Sequence, residues 1–324
     1  MTLPNRALLQ IVDHADRSAD ATAAMNMRGS ASTPVSTASA SASAATQAVA
    51  RVPHATLSGV TRYFNKHGSK ERFHALGPID LTLYKGEFFS VVGPSGCGKS
   101  TLLDAFAGLA KPSDGTVTFE GRPVKGVPDG VGVVFQEDAS FPWLSVRDNI
   151  AFGIRMAGLD GAEVTRRVDY ALGFMGLKDF AKSFPAQLSG GMRQRVCIAR
   201  TLVTQPRLIL LDEPFGALDQ QTRLLMGDEL LRLWRETSAT VLLITHALDE
   251  AAMLSDRVGV MSARPGLFID IVETGWDRER DSTIVSTPRF GEINARLWEK
   301  LRVESMKVMG ASAGGVAGSA GAAV

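Results

Sequence analysis

The chain has 324 residues, 45% hydrophobic and 21% charged, enough apolar material for one large domain with its own core. A formal net charge of +1 argues against a polyanion-binding surface, so nucleic acid is not expected as a partner. Two cysteines, Cys97 and Cys197, are too few for a disulfide scaffold and suit a reducing compartment.

Residues 1–52 are rich in Ala, Ser and Thr, with a near-repeat over 36–44. Such a stretch has little apolar bulk to offset ordering entropy and is expected to be disordered. Asp13, Asp16 and Asp20 interrupt any signal-peptide core. No apolar run approaches the roughly 18 residues that a spanning helix needs, so a cytoplasmic chain is expected. Residues 53–275 form the expected folded domain. Within it, 57–83 alternates like antiparallel strands. The short apolar runs 87–92, 132–135, 208–211 and 240–245 read as buried parallel strands. Between them, 99–108, 190–202 and 220–236 carry apolar residues at helical spacing, giving an α/β core. Residues from about 146 to 187 read as an inserted helical subdomain. A helical extension over 276–309 and a Gly/Ala-rich tail over 310–324, expected to be disordered, complete the chain.

The strongest local signal is Gly93-Pro94-Ser95-Gly96-Cys97-Gly98-Lys99-Ser100, a phosphate-binding loop between a strand and a helix. Glycines let backbone N–H groups turn toward a β-phosphate, and the following helix presents its positive end. Lys99 reaches the β- and γ-phosphates, and the Ser100 hydroxyl is a ligand for Mg²⁺. Cys97, beside that helix N-terminus, is expected to be a reactive thiol that nucleotide protects, the alternative being a small buried side chain. The run ending in Asp212-Glu213-Pro214 places Asp212 to hold the Mg²⁺ shell and Glu213 to accept a proton from attacking water. A plain helix cap at Asp212 is the competing reading. His246 and Gln136 end two further strands, where ligands of open α/β sheets bind. There His246 would contact the γ-phosphate, and Gln136 the Mg²⁺ or the water. Leu188-Ser189-Gly190-Gly191-Met192 opens another helix with a hydroxyl and two glycines, a second anion-binding start.

In this order, phosphate loop, Gln136, Leu188 to Met192, Asp212-Glu213, then His246, the chain resembles the ATP-binding subunits of ABC transporters over about 57–264. The resemblance implies a P-loop NTPase core of mostly parallel sheet, with an antiparallel β subdomain and an inserted helical subdomain. It implies ATP and Mg²⁺ as cofactors, with Thr101 joining residues 93–100 in ATP binding. Two subunits would pair head-to-tail, Ser189, Gly190 and Gly191 of one completing the phosphate site of the other. Phe64 would stack on adenine, with Tyr63 the competitor. Gly216-Ala217-Leu218-Asp219 resembles the loop that crosses between paired sites. Ala247 stands after His246 where the family usually has Asp. Phe141-Pro142-Trp143-Leu144, Asn149 to Gly153, Leu233-Trp234 and Arg264-Pro265-Gly266 look like the nitrate, sulfonate and taurine importers, the last two being nearest. Integral membrane permease subunits and, indirectly, a periplasmic solute-binding protein are the implied partners, at the cytoplasmic face of the inner membrane. A non-transport ABC ATPase is the first alternative, disfavoured by a single cassette without sustained heptads. An ATP-gated regulator without turnover is the second, disfavoured by Glu213 and His246.

Overall fold

The alternating and the continuous apolar segments resolve into separate sheets. Pro53–Asn65 (β1) and Arg72–Tyr84 (β2) pair antiparallel, with register shifts near Val60 and Arg62 that bend the ribbon. Phe88–Val92 (β3) begins the second sheet. Asp114–Phe119 (β4) then returns to pair with β1, followed by the short Arg122–Pro123 (β5), giving a four-stranded antiparallel sheet in the order β2-β1-β4-β5. Val131–Val134 (β6), Leu208–Asp212 (β7), Thr240–Ile244 (β8), Arg257–Met261 (β9) and Phe268–Glu273 (β10) join β3 in the order β10-β9-β3-β8-β7-β6. All pairings there are parallel except that of β9 with β10. The computed structural model describes residues 51–65, 71–136, 139–216 and 218–316, with side chains through 308. The tail over 1–50, residues 66–70, Glu137, Asp138, Ala217 and residues 317–324 lie outside the described residues.

Every residue of β3, β7 and β8 is buried. Helices cover one face, and α1 with the antiparallel sheet covers the other, so these strands need no polar side and read as unbroken apolar runs. The helices are Lys99–Ala107 (α1), Val146–Met156 (α2), Gly161–Phe174 (α3), Gly190–Leu202 (α4), Gln220–Thr237 (α5), Leu248–Leu254 (α6) and Pro288–Val316 (α7). Side-chain caps fix the starts of α2, α3 and α5: Ser145, Asp160 and Asp219 accept from the backbone N–H of Asp148, Ala162 and Thr222. Between β6 and β7 lie α2, α3, two short 3₁₀ turns and α4, so the stretch that interrupts the strand series is helical.

Residues from Pro53 onward form one compact unit. The C-terminal segment packs onto it through Phe290, Ile293, Leu297 and Leu301, one apolar stripe of α7. Arg280 is buried, donating to Asp256 Oδ1 at 2.8 Å and stacking 4.7 Å from the Trp234 ring centroid. The α7 backbone runs to Val316, past residue 310 where composition alone starts the tail. Among the described residues no helix is long and apolar enough to cross a membrane.

β3, which runs into the glycine-rich loop, is anchored at its start by a buried ion pair. Arg257 Nη1 lies 3.0 Å from Glu87 Oε1, and both side chains are buried or nearly so. Burial holds the Glu87 carboxyl above its usual value, against the pull of the Tyr84 N–H and the Arg257 guanidinium. Removing one partner strands the other in the core. Arg257→Met is therefore expected to destabilise the fold by roughly 3 kcal/mol, measured as a lower urea midpoint. An unchanged midpoint would mean that the pair is solvated.

Candidate nucleotide site

β3 runs into the glycine-rich loop, and α1 starts at Lys99. Gly96 and Gly98 adopt φ of +72° and +108°, backbone that L side chains rarely take. A Cβ on Gly98 would also sit 3.1 Å from the Ala75 carbonyl oxygen. The N-terminus of α1 has no side-chain cap and no acidic residue in its first turn. Its leading N–H groups and its dipole are thus left for an external anion. Lys99 is buried, and its ammonium donates to the carbonyls of Gly93 at 2.9 Å and Pro94 at 3.1 Å. The loop therefore carries a fixed positive charge.

The remaining groups come from the next strands in spatial order. β8, β7 and β6 follow β3 side by side, and His246, Asp212 with Glu213, and Gln136 stand at their C-terminal ends. Glu213 Oε2 accepts from Gln136 Nε2 at 2.9 Å and lies 3.2 Å from His246 Nδ1. One carboxylate oxygen is thus held from both flanking strands. Glu213 itself has φ of +47°, and its N–H donates to the Ile244 carbonyl at 2.8 Å. A left-handed non-glycine residue costs roughly 1–2 kcal/mol. Burial pushes the Asp212 carboxyl above its usual value, with Glu213 and Asp104 adding to the effect, while a side-chain hydrogen bond with Ser100 pulls it down.

A cleft of about 390 Å³ is lined by Ser95, Gly96, Gly98, Lys99, Ser100 and Thr101, and also by Phe64, Gln136 and Glu213. A larger groove of about 660 Å³ beside Gly108, Lys111 and Val124 holds none of the motif residues, so volume alone would misplace the site. Phe64 and not Tyr63 faces the cleft, since neighbours on a strand point to opposite sides; Tyr63 stacks on His74 at 4.5 Å. Gly93, Pro94 and Cys97 shape the loop from beneath and do not line the cleft. His246 stands at its border, exposed. Ser189, Gly190 and Gly191 are not in the cleft either. Ser189 is exposed and caps α4, accepting from the Met192 N–H at 3.3 Å.

Two further residues line the cleft: Arg264, which the sequence offers only through a family resemblance and with no role at the loop, and Phe73, which has no signal there. Arg264 donates through Nε and Nη2 to the Gly96 carbonyl at 3.0 and 2.9 Å, across 168 residues of chain. Its guanidinium lies 5.4 Å from the Phe73 ring centroid, and Phe73 in turn stacks on Phe64 at 5.6 Å. The chain thus places an aromatic pair and a second cation beside the phosphate loop.

A profile of the family described as ABC transporter matches residues 76–216. An uncharacterized ABC transporter ATP-binding protein of Methanocaldococcus jannaschii is 43% identical over 251 residues, covering 78% of this chain and 92% of that protein. The chain belongs to the ABC transporter ATP-binding family. A taurine import ATP-binding protein of Pseudomonas aeruginosa is 42% identical over 250 residues, covering 76% of this chain and 94% of that one. Among solved structures, a dimeric ATP-binding cassette in a post-hydrolysis state with ADP and Pi is similar, with a TM-score of 0.62 and 31% identity over 68% of this chain and 98% of that one. The antiparallel sheet, the mostly parallel sheet and the helical insertion are therefore those of an ABC ATPase, and the chain is an ATPase.

The expectation of a reactive Cys97 is corrected. Its side chain is 1% exposed and points inward, so that a Cβ on Gly93 would sit 2.9 Å from its sulfur. Burial pushes the thiol up, which outweighs the Lys99 charge. The helix N-terminus sets a favourable field, but the sulfur lies under the loop rather than at its mouth. Cys197 is buried too. Native protein is expected to take up no maleimide within minutes by mass spectrometry, and to label at both cysteines in urea. Rapid native labelling of Cys97 would place the sulfur at the surface.

Proposed function

We propose that this ABC ATPase energises an importer of small sulfonate-like anions at the cytoplasmic face of the membrane. The observation that carries the hydrolytic reading is the Glu213 carboxylate held between Gln136 and His246 beside the phosphate loop. The solute class rests on similarity to proteins named for taurine import.

In this reading the N–H groups at the start of α1 and the Lys99 ammonium bind the phosphates, the ammonium exchanging its two loop carbonyls for phosphate oxygens. Phe64 stacks on adenine. Glu213 accepts the proton of the attacking water, with Gln136 fixing its free rotation, and His246 donates toward the γ-phosphate. The residues fit Mg²⁺: Ser100 and Asp212 offer hard oxygen donors in contact with each other. Among the described residues no cluster of three or more His, Cys, Asp or Glu could hold a metal alone. An ion that takes one or two protein oxygens and completes its shell with phosphate and water matches that sparse set. It would supply charge neutralisation between the phosphates.

The exposed start of α4 supports head-to-tail pairing, because Ser189 to Gly191 lie outside the chain's own cleft and would serve a partner's phosphates. An exposed aromatic group supports permease docking. Trp143 is 71% exposed, Phe141 lies 5.6 Å from it and 4.6 Å from Phe152 between ring centroids, and the buried Asn149 pins the segment through Phe141, Leu144 and Ser145.

Glu213→Gln is expected to bind ATP normally, lose turnover by about 100-fold or more, and run as a dimer with MgATP on size exclusion. A monomer with wild-type turnover would remove both the base and the pairing. Lys99→Ala should weaken ATP binding at least about tenfold by calorimetry. For the solute, the co-purified membrane complex is expected to hydrolyse ATP faster with taurine and binding protein than with nitrate; stimulation by nitrate alone would move the solute class.

A further inference from the structure

The turn that carries His246 lacks a local support. α6 begins at Leu248, and its cap position is Ala247, which has no side chain to accept a backbone N–H. The Thr245 hydroxyl takes over, accepting from the Ala247 N–H at 3.0 Å. That hydroxyl is in turn oriented by Glu250, donating to Oε2 at 2.6 Å. Glu250 and Thr245 are both buried.

The other oxygen of Glu250 faces a different element. Arg223 Nε lies 3.1 Å from Oε1, an ion pair without an aligned hydrogen bond. Arg223 Nη2 donates to the Leu218 carbonyl at 3.2 Å, inside the loop that leads into α5. Leu218 then touches the start of α4: a Cβ on Gly191 would sit 2.6 Å from Leu218 Cδ2. One buried carboxylate therefore connects the His246 turn, Leu218 and the glycine-rich start of α4. Its packing needs a charge partner, since burial alone raises the carboxyl.

We propose that Glu250 is a positioning residue, which through Thr245 sets the His246 turn and through Arg223 sets Leu218 against Gly191. It touches no substrate. Resting on the head-to-tail reading, it ties the groups that serve a subunit's own γ-phosphate to those it lends to the partner's. With alanine at 247, that duty is concentrated on Glu250.

The test uses the full chain and compares ATP affinity, steady-state turnover and melting temperature for Glu250→Gln, Arg223→Gln and the double variant. Each single variant is expected to lower kcat about tenfold with ATP affinity within about twofold, a displacement effect rather than a binding loss. The double variant should be no slower than the slower single one, because both remove one ion pair. Thr245→Val should lose turnover, while Thr245→Ser, which keeps the hydroxyl, should not; this pair reads the relay even if the Glu250 variants fail to fold. Losses that multiply in the double variant, an unchanged kcat in Glu250→Gln, or equal turnover of the two Thr245 variants would overturn the proposal. Wild-type protein without ATP turnover would instead sink the hydrolytic reading itself.

Discussion

The side-by-side pairing of β3, β8, β7 and β6 is the constraint on which the site depends. Parallel strands in one sheet all end at the same edge, and the pairings of β3 with β8, β8 with β7 and β7 with β6 decide which terminal groups meet there. A shift of one residue would exchange the side chains packed into the two buried clusters on either side of the sheet. Each strand therefore delivers its terminal group to a defined place: the phosphate loop after β3, His246 after β8, Asp212 and Glu213 at β7, Gln136 after β6. Glu213 holds backbone strain at this edge, and the hydrogen bond from its N–H to Ile244 of the adjoining strand keeps it there.

The same constraint explains what the sequence discloses. A strand buried on both faces is an apolar run, and a chemical group directly after it is readable without knowing the strand order. The phosphate loop, Gln136, Asp212-Glu213 and His246 are all of this kind. Arg264 and Phe73 are not. Arg264 reaches Gly96 because the 262–267 turn closes over the loop, with Gly266 so near that a Cβ would lie 2.1 Å from the Cys97 carbonyl oxygen. Nothing in the spacing of residues 96 and 264 encodes that approach. Phe73 enters through a pairing set by β-bulges in the β1–β2 ribbon. Cys97 shows the opposite failure. Its neighbours in sequence define the field around the thiol, but whether the sulfur lies above or beneath the loop is decided by its packing against Gly93, with Met261 close behind, which no local rule includes.

The two glycine-rich helix starts illustrate how similar sequences carry different physics. The start of α1 is concave, supplied with a buried ammonium, and free of any side-chain cap. The start of α4 is exposed and already capped by Ser189, and its nearby cation, Arg193, is turned to the Leu188 carbonyl at 2.7 Å. The first has the charge and enclosure that a polyphosphate would need without help from another chain. The second has N–H donors and a dipole but too little enclosure to exclude water, so it competes poorly with solvent for a free anion. It gains strength only when another surface brings a phosphate to it and dries the contact. On the head-to-tail reading that surface is the cleft of a second copy, and each start compensates for what the other lacks. Leu218, wedged against Gly191 and bonded through its carbonyl to Arg223, packs directly beneath the second start.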